Sequence, residues 1–231
     1  MWVTGQSDVE LGTCVEVELV SSACPAVPTK HQLRQRLLEA RTRRSNDELD
    51  AAAGEITHRV LNLHETATAE TVAAYVSTLG EPGTHRLLEA LHHRGIVVLL
   101  PCLLDDDDLE WARYQPHRLR HGRRSIPEPD GERLGPGAIT DADVVICPGV
   151  AGSPRGDRLG RGGGSYDRAL VRTRPRALRV LLLYDDEVVD VVPGDTHDEP
   201  VDVIVTEARV LRTAPRDTFA SAASTTGFRR A

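Results

Sequence analysis

Lysine is almost missing from this chain. Of its 28 basic residues only Lys30 is a lysine; the rest are arginines. A position that stays lysine against that bias calls for a compact, flexible ammonium rather than a planar fork. Aromatic side chains are also scarce, at 3%. None interleaves with the basic run Arg118 to Arg124, so that run offers no stacking platform for a nucleic acid. With a net charge of −7, the chain is not built mainly to bind nucleic acid. It has no apolar run long enough to span a bilayer. Met1 to Pro28 carries Asp8, Glu10, Glu16 and Glu18, where the h-region of a secretory signal would carry no charge. A cytoplasmic protein without membrane contact is expected. The four cysteines, Cys14, Cys24, Cys102 and Cys147, show neither CxxC spacing nor a histidine partner pattern. They read as thiols in a reducing compartment, not as a zinc site. Also missing are a G-x-S-x-G, a Gly-Lys-Ser/Thr that would close a Walker A loop, and any cysteine beside a plausible base. No nucleophile is evident.

What is present centres on one stretch, Gly156-Asp157-Arg158-Leu159-Gly160-Arg161-Gly162-Gly163-Gly164-Ser165-Tyr166-Asp167-Arg168. It follows the apolar run Val144 to Pro148, which reads as a buried strand. It precedes Ala169-Leu170-Val171, which reads as helix. Strand, glycine loop and helix make an anion cradle, because glycines let the backbone approach a phosphate and free N–H groups point at it. Arg158 and Arg161 add fixed positive charge. Asp167 is placed to hold a metal riding on that phosphate.

The remaining pattern gives the frame. Thr29 to Gln32 forms a capping box that opens a helix with Leu33, Leu37, Leu38 and Ala40 facing inward. Lys30 and Arg34 share one face of it. Positive charge in the first turn opposes the helix dipole, a conflict a bound anion would remove. Ser45 to Glu48 caps a second helix carrying Leu49, Ala52, Ala53, Ile56 and Val60. Thr71 to Val76 reads as a strand, Thr84 to His93 as a helix and Ile96 to Leu100 as a strand. Asp105 to Asp108 reads as a solvated loop, and Leu109 to Tyr114 as an edge strand. Arg118 to Arg124 reads as a mobile basic loop, and Ile126 to Pro129 as extended. Leu178 to Tyr184, Glu187 to Val192 and, last, Asp202 to Thr206 read as strands. Apolar strands alternating with helices predict an α/β fold, a three-layer α/β/α with a mostly parallel sheet covered on both faces. Residues 1–28 are expected to be an extension, 29–215 a single domain and 216–231 a frayed tail. Ligands of such sheets sit at the carboxyl ends of the strands. The loops there are Gly80-Glu81, Cys147 through Asp167, and Pro193 through Asp198, the last carrying His197 and Asp198. Cradles of positive charge with carboxylates and no nucleophile suit phosphoryl transfer.

The motif from Gly156 to Arg168 closely resembles the signature of the 5-formyltetrahydrofolate cyclo-ligase family, also called methenyltetrahydrofolate synthetases. The likeness extends to Lys30 and Arg34 on the first helix, to Tyr75-Val76-Ser77 followed by Glu81 and Thr84, and to Leu100-Pro101. It continues through Ile126 to Pro129, Pro148-Gly149, His197-Asp198 and Val203 to Glu207, in order, from about Thr29 to Leu211. Gly152-Ser153 and Ser165 are departures, standing where the family usually has Phe-Asp and Tyr.

The resemblance implies a fold like that of NagB, RpiA and the CoA transferases, and a monomer. It also implies an ATP- and magnesium-dependent cyclisation of 5-formyltetrahydrofolate, a reduced folate, to 5,10-methenyltetrahydrofolate. Carried over, Lys30, Arg34 and the run Arg158, Leu159, Gly160, Arg161, Gly162, Gly163, Gly164, Ser165 and Tyr166 bind ATP. Arg161 and Tyr166 are the catalytic positions, Asp167 and Asp198 hold Mg2+, and Glu81 hydrogen-bonds the pterin. The alternatives are a paralog that binds nucleotide without catalysis, or one that acts on another formyl or amide compound.

Overall fold

The apolar positions of the strands alternate between two buried surfaces, and that alternation sets the architecture. A computed structural model describes residues 28–78, 80–195 and 197–214. The expected N-terminal extension, apart from residue 28, and the expected tail lie outside the described residues. In chain order the first elements are α1 (Lys30–Arg41), α2 (Asn46–Leu61), α3 (His64–Ala67), β1 (Thr71–Ala73), α4 (His85–His93), β2 (Val97–Leu103) and β3 (Leu109–Arg113). Next are β4 (Leu119–His121), β5 (Pro127–Pro129), β6 (Val144–Pro148), β7 (Ala151–Gly152) and β8 (Arg158–Leu159). The chain closes with α5 (Ser165–Val171), β9 (Leu178–Leu182), β10 (Val203–Val205) and β11 (Val210–Arg212).

Seven strands form one sheet in the order β11-β10-β9-β6-β1-β2-β3. Every pairing is parallel except the outermost two, β2 with β3 and β10 with β11. On one face Val72, Val98, Val144, Ile146, Val180 and Val203 meet Ile56 and Val60 of α2 and Leu87, Leu88 and Leu91 of α4. On the other, Ala73, Leu99 and Val145 meet Ala169 and Leu170 of α5. Both faces are covered, as a parallel sheet requires. Helix α1 packs Leu33 and Leu37 on Ala151 and Leu159 of the small β7–β8 hairpin. That contact holds Lys30 and Arg34 beside the glycine loop. No helix among the described residues is long and apolar enough to cross a membrane.

Both capping boxes form, at Thr29 and Ser45. Other expectations are corrected. The strand expected to run to Val76 ends at Ala73, because Tyr75 and Val76 leave the ladder to wall a cavity. The acidic loop is not simply solvated: Asp108 is buried and paired with Arg172, while Asp105 and Asp107 pair with Arg123 and Arg124. The basic run is not a free loop, since β4 within it pairs antiparallel with β5. Glu187 to Val192 makes only a single bridge, Val188 to Gly152. The strand at Val203–Val205 is not the last; β11 folds back on it.

Candidate functional site

The chain leaves β1 toward β2 in one direction and β6 toward β9 in the other, and these two strands are neighbours. This is the crevice where doubly wound sheets take ligands. A cavity of about 1300 Å³ opens there. Tyr75, Val76, Thr78 and Glu81 line it after β1, and Pro148 at the end of β6, Gly149 and the glycine loop on the other side. It exceeds the roughly 300–1,000 Å³ typical of one small-molecule site.

One half of the cavity is polar. The glycine loop turns at Gly162 and Gly164, whose φ angles of +107° and +68° are easy only for glycine. Gly164 is the N-cap of α5 and supplies no side-chain cap, so the first N–H groups of the helix have no capping side chain. Lys30 reaches from α1 to Asp195 (2.7 Å) and Asp198 (2.6 Å). Those two carboxylates neutralise the charge at the helix start. Burial works against the ammonium, but both carboxylates outweigh it and hold its pKa above the ordinary value. Lys30 in turn holds the Asp195 carboxyl below the usual carboxylate range. Arg34 Nε donates to the Gly160 carbonyl at 2.9 Å. Arg158 pairs with Asp167, and its own Nε is buried with no acceptor among the described residues. A buried unpaired donor is costly unless something arrives to accept from it.

The other half is mostly apolar, walled by Val76, Pro101, Leu103, Leu109, Ile126 and Pro127. Glu81 enters between the halves. Its side chain is 9% exposed, and it accepts from Arg161 Nε at 3.2 Å and from the Thr78 N–H at 2.8 Å. Thr84 fixes the segment leading to it, donating its hydroxyl to the Tyr75 carbonyl (2.8 Å) and accepting from the Ser77 N–H (2.9 Å). Tyr166 lines the cavity, and its hydroxyl is buried without a partner among the described residues. Burial pushes the Tyr75 and Tyr166 hydroxyls well above the ordinary tyrosine value, so both stay protonated. Behind the wall, Arg41 pairs with Glu187 and donates to the Gly149 carbonyl at 2.7 Å.

All the residues expected at the site line this one cavity: Lys30, Arg34, Glu81, Arg158 to Tyr166, Asp167 and Asp198. Leu159 does so with its side chain buried under α1, so only its backbone is free to serve a ligand. Arg168 also lines the cavity and donates to the Asp107 and Gly163 carbonyls. Gly152 and Ser153 are not among the lining residues. A Cβ on Gly152 would lie 2.8 Å from the Leu181 side chain, and Ser153 is buried against Asp157. Burial pushes the Cys147 thiol up to about 11, which suits the absence of a nucleophile. Sequence reasoning put Asp195 in a site loop without singling it out, and missed Thr78. The one signal for Asp195 was its place three residues before Asp198 in the same loop.

For a divalent cation the donors fit. Asp167 and Asp198 present hard carboxylate oxygens to the same cavity as the phosphate cradle. Mg2+ usually takes one or two carboxylates and completes its shell with substrate phosphate and water. No cluster of three or more metal-binding side chains occurs among the described residues.

Comparison with known proteins gives the lineage. The model of the 5-formyltetrahydrofolate cyclo-ligase family matches residues 26–207. A 5-formyltetrahydrofolate cyclo-ligase of Mycolicibacterium smegmatis is 35% identical over 147 residues, 62% of this chain and 76% of that one. One from Escherichia coli K12 is 33% identical over 160 residues, covering 66% and 86%. The solved structure of Aquifex aeolicus 5,10-methenyltetrahydrofolate synthetase superposes with a TM-score of 0.70 at 33% identity, covering 79% and 92%.

Proposed function

Because the chain belongs to the 5-formyltetrahydrofolate cyclo-ligase family, we propose that this cavity converts 5-formyltetrahydrofolate and ATP to 5,10-methenyltetrahydrofolate, ADP and phosphate. The observation that carries this reading is one cavity with two contrasting halves and room for two ligands. The polar half takes the triphosphate and the apolar half the pterin. The formyl oxygen attacks the γ-phosphorus and ADP leaves, giving an iminium phosphate. N10 then attacks the formyl carbon, its proton is lost, the ring closes and phosphate departs. None of this needs a protein nucleophile. It needs charge and alignment.

Lys30, Arg34 and Arg158 meet the phosphates, and the glycine loop donates backbone N–H groups to them. Arg161 stabilises charge on the transferring phosphoryl group. The protonated Tyr166 hydroxyl donates to a reacting oxygen. Glu81 accepts a hydrogen bond from the pterin, whose ring lies against the apolar wall. Asp167 and Asp198 hold Mg2+, which would neutralise phosphate charge and align the transfer. We place the domain at residues 29–215 and the protein in the cytoplasm, acting as a monomer.

The test is the absorbance of methenyltetrahydrofolate formed from ATP, Mg2+ and 5-formyltetrahydrofolate. One ADP should appear per product. Chelation with EDTA should stop turnover and added Mg2+ restore it. Nucleotide binding by calorimetry without any turnover would instead identify a non-catalytic paralog. ATP hydrolysis stimulated by a different formyl or amide compound would reassign the substrate.

A further inference from the structure

Arg179 occupies a strand position where a covered parallel sheet ordinarily carries an apolar side chain. It lies on β9, within the sheet, and is 6% exposed. Each nitrogen of its guanidinium is bonded. Nε and Nη2 donate to the Thr173 hydroxyl (3.2 and 3.0 Å), and Nη2 also to the Leu170 carbonyl (2.7 Å). Nη1 donates to Glu199 Oε2 (2.8 Å) and to the Pro200 carbonyl (3.1 Å). A buried charge with this many partners costs desolvation that a well-packed apolar residue would avoid. Stability alone does not account for it.

The partners show what the arrangement holds. Leu170 lies three residues after Asp167 on α5, about one turn along the same helix. Glu199 follows Asp198, and its N–H donates to Asp167 Oδ1 at 3.3 Å. A closed ring therefore runs from Asp167 to the Glu199 N–H, through the Glu199 carboxylate to Arg179, and back by the Leu170 carbonyl and α5. We propose that Arg179 is a positioning residue that fixes the two carboxylates, Asp167 on α5 and Asp198 on the loop before β10, relative to one another for a shared Mg2+. Arg179 does not line the cavity. It acts through Glu199 and the end of α5. The inference rests on the reading of Asp167 and Asp198 as the magnesium pair.

The experiment measures ATP binding by calorimetry across a Mg2+ series and in EDTA, for wild type, Arg179→Lys and Glu199→Gln, with thermal melts of each. Lysine keeps the charge and loses the fork. Displacing such outer-shell partners commonly weakens metal binding about 10- to 100-fold. Arg179→Lys should require about tenfold more Mg2+ for the same ATP affinity, by that reasoning. Its ATP affinity in EDTA and its affinity for 5-formyltetrahydrofolate should stay at the wild-type level. Glu199→Gln should shift in the same direction by a smaller factor. A folded Arg179→Lys with an unchanged Mg2+ response overturns the proposal. So does a loss of EDTA and folate affinity as large as the loss in Mg2+. If Arg179→Lys does not fold, an unshifted Glu199→Gln overturns it. Wild-type ATP binding that ignores Mg2+ sinks the magnesium reading itself, an outcome distinct from a variant that fails to shift.

Discussion

Lys30 is held by two carboxylates at once, and that places a definite expectation on its removal. Its contacts with Asp195 and Asp198 cross 165 and 168 residues of sequence, yet all three groups are at least partly exposed. Exposed ion pairs contribute little to stability. Lys30→Ala should therefore melt close to wild type. Its effect should appear on the nucleotide, because a hydrogen bond to a charged group is worth about 1.5–3 kcal/mol. By that figure the KM for ATP rises roughly 10- to 100-fold. Saturation kinetics in ATP at fixed folate measure it, and an unchanged KM would remove Lys30 from the phosphate site. Lys30→Arg should not restore wild-type behaviour, since a planar fork cannot reproduce a compact ammonium between two carboxylates. This residue was legible in the sequence as the single lysine, four residues before an arginine. Asp195 was not, because nothing local marks which of several acidic loop residues a distant ammonium will choose.

Elements whose cause is local were readable, and elements whose cause is distant were not. The capping boxes at Thr29 and Ser45 put donor and acceptor within three residues, so α1 and α2 start where expected. The continuous apolar runs through Val72-Ala73 and Val144-Val145 likewise read as buried strands. The acidic loop shows the opposite case. Asp108 answers to Arg172, 64 residues away at the C-cap of α5, through bonds of 2.6 and 2.9 Å. Arg41 answers to Glu187 across 146 residues. No periodicity records such pairs, and none predicts that β11 will return to β10. The Asp108 pair carries a prediction about acid. The Arg172 hydrogen bonds hold the Asp108 carboxyl below the usual aspartate range, which in unfolded chains lies near 3.9. A carboxylate lowered in the folded state adds stability that is full above the unfolded value and is lost as pH falls through the folded one. Wild type should thus lose this contribution below about pH 4. Asp108→Asn should be less stable at pH 7, by about 1 kcal/mol, because the Arg172 left behind is 33% exposed and regains water. The gap between the two should narrow as pH drops. Chemical denaturation at several pH values checks it; a constant gap would mean that the pair does not titrate as described.

At the scale of the whole molecule, the candidate site joins parts that the chain keeps far apart: Lys30 from α1, Glu81 from after β1, Arg161 from the glycine loop, and Asp198 from the loop before β10. Its charges are paired off internally: Lys30 with Asp195 and Asp198, Arg158 with Asp167, Arg161 with Glu81. The last pair spans the two halves of the cavity. In the reading given above, Arg161 serves the phosphates and Glu81 the pterin, so each ligand needs a group that the other half is holding. ATP that draws Arg161 to its phosphates releases the Glu81 carboxylate for the pterin, and a pterin that engages Glu81 frees Arg161. The two affinities must then rise together, because a coupling free energy acts equally in both directions. A non-hydrolysable ATP analogue with Mg2+ should tighten 5-formyltetrahydrofolate binding by about 5-fold or more, the lower end of ordinary coupling. The folate should tighten the analogue by the same factor. In Arg161→Met the pair is absent from the start, and the factor should fall toward one even though both ligands still bind. Calorimetric titration of each ligand in the absence and presence of the other measures all four quantities. Equal factors in wild type and Arg161→Met would show that the halves communicate by some route other than this ion pair.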